Sequence, residues 1–439
     1  DSTSGTTTQP SVSSCSCSAA EIESLISAFE LKSGVSYVGF DPFQSINNTI
    51  LHTMTERPGR HFLHIPGPTP LPERVARAIS RATIDHRGPE FAQLALSILE
   101  RLQIVFGTTS PIAIYPSSAT GAWEAALANT LSPGDRVLFC QNGHFAALWN
   151  KVATRLGLEV VVLEGEWRRP VDPAAVTAEL EADPSLKAVA LVHNETSTGV
   201  LSDIGAVRRA IDQVGHSALL MVDVVSSLGA VEYHHDEWGV DITIAGSQKG
   251  LMLPPGLGFN AISQRALAAA DQAQLPRSYW DWMPILDASQ HGFFPYTPAT
   301  NLLFGLDEAL NMLFEEGMNQ VFARHQRLAA ATRRAADTWG LEVFCRDETA
   351  HSPTLTALVT PQGHDADFLR QLILERFDLS LGTGLGPLQG QLFRIGHLGS
   401  INDLMLCGVL CGIEMGLELA GVPHQNGGVQ AALGMLAHD

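Results

Sequence analysis

Short apolar segments alternate with longer amphipathic segments from about His61 onward. The apolar segments are rich in β-branched residues, and they read PIAIYP, RVLFC, LEVVVLE, KAVALVHN, ALLMVDVV and DITIAG. The segments between them have the apolar spacing of helices, as in WEAALANTL, ALWNKVATRLG and DIGAVRRAIDQVG. Nearly continuous apolar strands that are separated by helices are typical of a mostly parallel sheet covered on both faces. The pattern therefore predicts an α/β fold.

The pattern changes after about residue 305, where a long helix-periodic stretch begins. Shorter strands follow it, and then a final helix with the sequence INDLMLCGVLCGIEMGLELAG. Ser400 and Asp403 fit a capping box at the start of this helix, and Gly421 followed by Pro423 fits its end. We therefore expect a large domain at residues 57–310 and a smaller α+β domain at residues 311–439.

The first 56 residues form an N-terminal extension in this scheme. Residues 1–18 are mostly Ser and Thr, a composition typical of disorder. The next stretch has helical spacing, with apolar residues at Ile22, Leu25, Ile26 and Phe29. We predict an extension that is partly disordered.

The composition narrows the range of partners. The chain has 439 residues, with 27 basic and 46 acidic side chains and a formal net charge of -19. An acidic chain of this kind is not expected to bind nucleic acid or anionic lipid over its whole surface. No run of ~18 apolar residues is present, so a membrane span is not expected.

The cysteines and the N-terminal sequence bear on the cellular compartment. The six cysteines are sparse and have no paired metal spacing, and Cys407 and Cys411, one helical turn apart, are expected in the core. The first residues lack the pattern of a secretory signal or a transit peptide. We therefore expect a cytoplasmic protein.

Two buried-looking strands end in charged residues. DITIAGSQKG places Gln248 and Lys249 after one strand, and ALLMVDVV places Asp223 at the end of another. Ligands of open parallel sheets bind beyond the carboxyl ends of the strands. A charge there is unfavourable without a partner, although a helix cap or a salt bridge would also explain Asp223.

Other strand ends supply small and aromatic residues. Thr120, Gly121 and Ala122 begin a helix after PIAIYP, where free N–H groups favour a phosphate, although an ordinary capped turn is the alternative. Phe145 follows RVLFC, and a core position is the alternative for this ring. The polar turn NETST follows KAVALVHN and is weak evidence alone.

These elements together match the requirements of pyridoxal 5'-phosphate (PLP). This cofactor needs a phosphate cradle, an aromatic ring over its own ring, a lysine for a Schiff base and a carboxylate. Desolvation lowers the pKa of a buried lysine, so that its neutral amine can react. The carboxylate keeps the pyridine nitrogen protonated. The set predicts a PLP enzyme.

At these residues the chain resembles the class V aminotransferases of PLP fold type I, most closely the serine–glyoxylate and alanine–glyoxylate group and related aspartate–glyoxylate enzymes. The matching segments include HIPGPTPLPERV, SSATGAWEAALANTLSPGDRV, HNETSTGV, DEWGVDITIAGSQKG and FRIGHLGS. The resemblance spans about residues 57–430. It implies a large domain with a mostly parallel, seven-stranded sheet between helices, and a smaller C-terminal α+β domain.

The resemblance also implies a role for individual residues. Lys249 matches the lysine that carries the cofactor, Asp223 matches the partner of the pyridine nitrogen, and Phe145 matches the stacking aromatic. The further cofactor contacts that it implies are Thr120, Gly121, Ala122, Thr196, Val225 and Gln248, with Tyr296 and Thr297 reaching the site of a second subunit. Arg394 matches the arginine that holds the substrate carboxylate, and His86 and Arg87 match residues at the mouth of the partner's site. A homodimer with shared active sites is expected.

The implied reaction is transamination from an L-amino acid, with serine favoured, to glyoxylate, giving glycine and a 2-keto acid. His86 stands where plant serine–glyoxylate enzymes carry Tyr, so aspartate, alanine or a pyruvate-linked reaction stays open. A PLP-dependent lyase, such as a cysteine desulfurase, and a non-catalytic PLP-binding protein are alternatives of another class. A desulfurase needs a mobile catalytic cysteine, whereas Cys345, Cys407 and Cys411 are expected in strands or helices.

Two further motifs suggest sites that we discount. GTGLGPLQG resembles a dinucleotide fingerprint but lacks the strand–turn–helix setting. His234, His235 and Asp236 are adjacent in sequence, which suits a surface turn better than a metal site.

Overall fold

The computed structural model describes residues 58–438. The helical spacing at Ile22–Phe29 and the whole of the expected N-terminal extension lie outside this range and stay predictions. The division expected between residues 310 and 311 falls within a helix, Thr300–Glu316, and also stays a prediction.

A seven-stranded sheet forms the larger layer of the fold. Its strand order is β2-β10-β9-β8-β5-β3-β4, and every neighbouring pair is parallel except the two that involve β10. The strands are β2 (Ile112–Tyr115), β3 (Arg136–Gln141), β4 (Glu159–Glu164), β5 (Leu186–Val192), β8 (Leu219–Asp223), β9 (Ile242–Gly246) and β10 (Gly258–Ile262). The mostly parallel sheet predicted from the apolar segments is confirmed.

Helices cover both faces of this sheet because its strands are apolar on both sides. Ile114 and Leu220 point into one core, whereas Tyr115 and Met221 point into the other. The helices of this part are α1 (Glu73–Ile79), α2 (Pro89–Phe106), α3 (Ala119–Thr130), α4 (His144–Arg155), α5 (Pro173–Ala182), α6 (Ile204–Val214), α7 (Gln264–Ala270), α8 (Trp282–Ser289) and α9 (Thr300–Glu316). Alternating residues of each strand are thereby buried on opposite faces.

A five-stranded sheet with the order β1-β13-β14-β12-β11 forms the second layer. Its strands are β1 (Phe62–His64), β11 (Glu342–Val343), β12 (Leu355–Val359), β13 (Leu379–Thr383) and β14 (Leu392–Gly396). Its helices are α10 (Met318–Trp339), α11 (Ala366–Phe377), α12 (Asp403–Leu419) and α13 (Gly428–Leu436). β1 comes from the start of the described chain and pairs parallel with β13, while the other pairs are antiparallel.

The expected capping box of α12 is wrong. Asn402 is the N-cap, and its side chain accepts a hydrogen bond from the backbone N–H of Met405 at 3.0 Å. Asp403 is therefore the first helical residue and not the third. The expected end is confirmed, since the helix stops at Leu419 and Gly421 follows with a φ of 64°.

The cysteines differ from expectation as well. Cys411 is exposed and Cys407 is half-buried, so this pair does not lie in the core. Cys345 follows β11 as a buried loop residue, and its thiol donates to the carbonyl of Asp347. Within residues 58–438, no helix is both long enough and apolar enough to cross a membrane.

Candidate active site

A cavity of about 280 Å³ lies beyond the carboxyl ends of β5, β8 and β9. Parallel pairing places these three strand ends side by side, with Val192 opposite Asp223 and Asp223 opposite Ile244. The predicted residues that the cavity brings together are Thr120, Phe145, Thr196, Asp223, Val225, Gln248 and Lys249. These predicted residues therefore surround one space at the carboxyl ends of the strands.

Lys249 projects into the cavity from the turn after β9, and only 7% of its surface is exposed. Its Nζ donates a hydrogen bond to the backbone carbonyl of Pro66. Burial lowers the pKa of Lys249 to about 7, and the positive charge of Arg394 adds to this shift. A substantial fraction of the amine is therefore neutral near pH 7, as a nucleophile or a proton acceptor requires.

Asp223 ends β8 and has a hydrogen-bond donor at each carboxylate oxygen. The backbone N–H of Val225 donates to Oδ1 at 2.8 Å, and Nε1 of Trp123 donates to Oδ2 at 2.6 Å. Burial raises the pKa of Asp223 to about 7, and both hydrogen bonds oppose the rise. Sequence reasoning missed Trp123, because α3 brings its ring to a residue that is 100 positions away along the chain.

The N-terminus of α3 forms one wall of the cavity. Ser118 is the N-cap without a side-chain cap bond, and Ala119 and Thr120 follow it along the wall. Gly121 and Ala122 belong to the same first turn but do not line the cavity, and the N–H of Gly121 donates to the carbonyl of Ser118. Helix N-termini of this kind favour phosphate groups.

Gln248 lies on the same side of the cavity. Its Oε1 is buried and has no hydrogen-bond partner among residues 58–438. A side-chain amide in this state is suited to bind a polar group of a ligand.

Phe145 sits at the start of α4, where Glu195 takes the place of a local cap. Gly143 is the N-cap and has no side chain to cap the helix. Oε2 of Glu195 accepts hydrogen bonds from the N–H groups of Phe145 at 3.1 Å and Ala146 at 3.2 Å. Oε1 accepts from the N–H and the hydroxyl of Ser197. Sequence reasoning placed Glu195 in a polar turn and assigned it no role.

Arg394 lies on β14 and does not line the cavity, but it is hydrogen-bonded to a residue that does. Its Nε donates to the carbonyl of Thr383 at 2.7 Å, and its Nη1 donates to the carbonyl of Thr196 at 2.8 Å. Burial lowers the pKa of Arg394 to about 10, which leaves the guanidinium charged at neutral pH. Because Thr196 lines the cavity, these bonds connect the arginine to the site.

Besides Gly121, Ala122 and Arg394, four predicted site residues lie outside the lining of this cavity: His86, Arg87, Tyr296 and Thr297. The Tyr296 hydroxyl donates to the carbonyl of Ile114 at 2.9 Å, and its ring stacks on Tyr279 at 4.8 Å. Nε2 of His86 is buried and has no hydrogen-bond partner among the described residues.

His234, His235 and Asp236 lie at the start of a turn over residues 235–239, in which Asp236 is exposed. His235 is buried, and its Nδ1 lies 2.7 Å from Oγ1 of Thr243. Asp236 accepts hydrogen bonds from Thr108 and Thr109. These contacts join the segment to α2 and β9, so the expectation of a surface turn is wrong for His235.

The cavity contains the groups that PLP requires. A buried amine, a carboxylate held by two donors, an aromatic residue and a helix N-terminus surround one space. Gly67 lines it next to Lys249, where a Cβ would lie 2.8 Å from Nζ, so that the absence of a side chain leaves the amine room in its present position. The residues present therefore fit this cofactor.

Comparisons with known proteins agree with this chemistry. The serine–glyoxylate aminotransferase of Methylorubrum extorquens is 48% identical over 86% of this chain and 96% of its own length. The L-aspartate–glyoxylate aminotransferase of Paracoccus denitrificans is 43% identical over 84% and 94%. The crystal structure of ureidoglycine–glyoxylate aminotransferase from Bacillus subtilis superposes with a TM-score of 0.81 at 29% identity, covering 88% of this chain and all of that one. The sequence profile of the family "aminotransferase class-V" matches residues 61–385. The chain belongs to the class V aminotransferases.

Proposed function

We propose that this aminotransferase moves the amino group of an L-amino acid, with serine favoured, to glyoxylate, giving glycine and a 2-keto acid. Enzymes of this family depend on PLP and act on amino-acid and keto-acid substrates. The observation that carries the proposal is the meeting of Lys249 and Asp223 at adjacent strand ends, with Arg394 hydrogen-bonded to Thr196 in the lining of the same cavity. The named activities of the relatives support glyoxylate as the acceptor.

Each residue has a task that follows from its geometry. PLP, when bound, supplies the electron sink that makes the Cα proton of an amino acid acidic. Lys249 Nζ removes that Cα proton and, in the reverse direction, delivers a proton to Cα of the newly formed amino acid. Arg394 binds the α-carboxylate and fixes the plane of the reacting carbon.

The remaining cavity residues bind and orient the cofactor in this proposal. When the cofactor is bound, Asp223 would pair with the pyridine nitrogen, Phe145 would stack on the ring, and Thr196 would contact the phenolic oxygen. The phosphate contacts are Thr120, Gly121, Ala122 and Gln248, and Val225 packs beside the ring. Their positions around one cavity and at the first turn of α3 support this assignment.

Serine and aspartate are the two main candidates for the amino donor, since relatives named for either activity are more than 40% identical to this chain. A comparison of donors distinguishes between them. The test is a panel of serine, alanine, aspartate and pyridoxamine at fixed glyoxylate, with glycine formation as the signal. We expect serine to give the highest kcat/KM, with ping-pong kinetics. Lys249→Ala is expected to reduce turnover by at least about 10²-fold, while the exposed Lys187→Ala keeps it. A holoenzyme that forms no glycine from any donor, yet aminates pyruvate, would refute the proposal.

Cysteine desulfurase chemistry is not supported by the described cysteines. None of Cys140, Cys345, Cys407 and Cys411 lines the cavity. Burial raises the pKa of Cys345, which makes this thiol a poorer nucleophile near neutral pH.

A homodimer with shared sites is part of the proposal. Tyr296, Thr297, His86 and Arg87 lie outside the cavity of their own chain, as expected of residues that complete the site of a second subunit. The test mixes two inactive variants, Lys249→Ala and Thr297→Ala. Subunit exchange would create heterodimers with one intact site and restore up to about a quarter of the parent activity. No recovery under conditions of proven exchange would exclude shared sites.

We also propose a cytoplasmic location. Cys140, Cys345, Cys407 and Cys411 are free thiols in the structure, as is typical of proteins in a reducing compartment. Fractionation of cells that produce the full chain tests this location.

A further inference from the structure

Trp123 reaches the active-site carboxylate from the helical layer of the fold. It lies on α3, its ring is buried, and it lines the cavity together with Asp223. Its Nε1 donates to Oδ2 of Asp223 at 2.6 Å, and Val225 supplies the donor to Oδ1. Each oxygen of Asp223 therefore has one fixed donor.

The carboxylate keeps room for one more donor. An ionised carboxylate offers about four lone-pair positions, of which the two hydrogen bonds occupy two. Both bonds favour the ionised form, because a carboxylate accepts them more strongly than a neutral carboxyl does. The Trp123 bond therefore orients Asp223 and leaves it free to accept a further N–H.

The remaining surroundings of Asp223 make the Trp123 bond important. Burial and the nearby Glu195 raise the pKa of Asp223, and Lys249 lowers it. The backbone N–H of His193 binds the main-chain carbonyl of Asp223 and does not contact the carboxylate. Trp123, Val225 and Lys249 thus oppose the effect of burial, and of the two hydrogen bonds to the carboxylate only that of Trp123 comes from a side chain.

The Trp123 ring is held in place by a neighbour that does not touch Asp223. Trp123 stacks on Trp149, with ring centroids 5.9 Å apart and an interplanar angle of 13°. Trp149 is fully buried, and its Nε1 has no hydrogen-bond partner among the described residues. Both rings are therefore buried in the same stack, but the hydrogen bond to Asp223 comes from Trp123 and not from Trp149.

We propose that Trp123 is a positioning residue that keeps Asp223 ionised and oriented toward the pyridine nitrogen of the cofactor. This inference rests on the proposed role of Asp223 at that nitrogen. Without the indole N–H, Asp223 takes up a proton at a higher pH, and the neutral carboxyl no longer pairs with a protonated pyridine.

The experiment compares Trp123→Phe with Trp149→Phe. Each variant removes one indole N–H from the stack, but only that of Trp123 is bonded to Asp223. PLP dissociation constants of the apoenzymes are measured by equilibrium dialysis from pH 5.5 to 9. We expect Trp123→Phe to bind PLP at least about tenfold more weakly at pH 7. The pH below which affinity falls is expected to rise by about one unit or more, while Trp149→Phe keeps the parent profile.

The outcomes separate this inference from the role of Asp223. Equal shifts in both Trp variants would show that packing alone matters and would overturn the inference. A parent-like pH profile in Trp123→Phe, alongside weakened binding in Asp223→Asn, would overturn it and leave Asp223 in its role. Parent-like binding in Asp223→Asn would remove that role itself. Should Trp123→Phe fail to fold, the benzothiophene analogue of tryptophan at position 123, with sulfur in place of N–H, carries the same test.

Discussion

The ε-amine of Lys249 donates a hydrogen bond to the backbone carbonyl of Pro66, which joins the turn after β9 to the segment that follows β1. The next residue, Gly67, lines the cavity beside the lysine. The segment after β1 therefore sets how far the amine extends into the site.

We expect Gly67→Ala to disturb both stability and cofactor loading. Gly67 has a φ of +110°, and a Cβ there would lie 2.8 Å from Nζ of Lys249. The matched control is Gly134→Ala, where φ is +82° and no atom lies within 4 Å of the added Cβ. Both variants carry a backbone penalty of about 1–2 kcal/mol. Overpacking in Gly67→Ala adds about 1–3 kcal/mol.

Urea unfolding and the absorbance of bound PLP measure these two effects. Gly67→Ala should unfold at lower urea than Gly134→Ala and should bind less PLP. Equal stability and full PLP loading in both variants would show that Lys249 has room to move.

Arg394→Lys tests the geometry of carboxylate binding. Lysine keeps the positive charge but loses the planar fork, and it cannot donate to Thr383, Thr196 and a substrate in the same arrangement. We expect KM for the donor and for glyoxylate to rise about 10- to 100-fold, with a smaller change in kcat. Arg324→Lys is the control, since Arg324 also donates to backbone carbonyls, but those of Gly399 and Ile401, which do not line the cavity. A loss confined to kcat would argue against a binding role.

Buried histidines predict a loss of stability on acidification. Burial lowers the pKa of His64 from 6.5 to about 4, although its Nδ1 contacts the carbonyl of Gly396 at 3.0 Å. Between pH 6.5 and about pH 4, His64 binds a proton in the unfolded chain but stays neutral in the folded chain. The free energy of unfolding therefore falls from pH 6.5 to about pH 4, by up to about 3 kcal/mol for this residue. Burial also lowers the pKa values of His193 and His235 to about 4, in the same direction.

Urea midpoints across this pH range check the prediction. His64→Gln removes the titrating group and should make the pH dependence shallower, whereas the exposed His291→Gln should leave its slope unchanged. A parent-like slope in His64→Gln would mean that other groups dominate the acid transition.

The strands and their functional ends were predictable from sequence for a physical reason. Residues 219–222 of β8 are wholly apolar, and Asp223 follows them, so that the charge had to lie at the sheet edge. The direction of β10 was not predictable, because apolar strands look alike whether they run parallel or antiparallel. The pairing of β1 with β13 was not predictable either, since it joins segments that are far apart in the chain.

Trp123 and Glu195 show what local patterns do not contain. Trp123 lies on a helix face that packs into the core, and nothing in the spacing shows that its N–H meets Asp223. Glu195 was placed in a polar turn, but the sequence does not show which helix its carboxylate caps. That helix is α4, against which β6 (Asn194–Glu195) packs. Ser400 and Asn402 are both good N-cap residues, so the sequence does not distinguish between them. Asn402 is the N-cap because the helix begins at Asp403.

Glu195→Gln is expected to weaken the site by loosening the start of α4. The amide keeps one acceptor oxygen and places an NH₂ group where the carboxylate accepted hydrogen bonds from Phe145 and Ala146 or from Ser197. Leaving these buried donors unpaired should reduce the free energy of unfolding by about 1–3 kcal/mol. Phe145 loses its fixed place at the same time, so PLP should bind more weakly.

The matched control for Glu195→Gln is Asp203→Asn, the same change at another helix cap. Asp203 caps α6 (Ile204–Val214) through the N–H of Ala206 at 2.8 Å, away from the cavity lining. Asn and Asp cap helices about equally well, so this variant should change neither stability nor PLP affinity. If Glu195→Gln lowers the urea midpoint but leaves the PLP dissociation constant unchanged, Glu195 stabilises α4 without positioning Phe145. A loss of PLP affinity in Glu195→Gln alone would connect the cap to the ring that faces the cofactor.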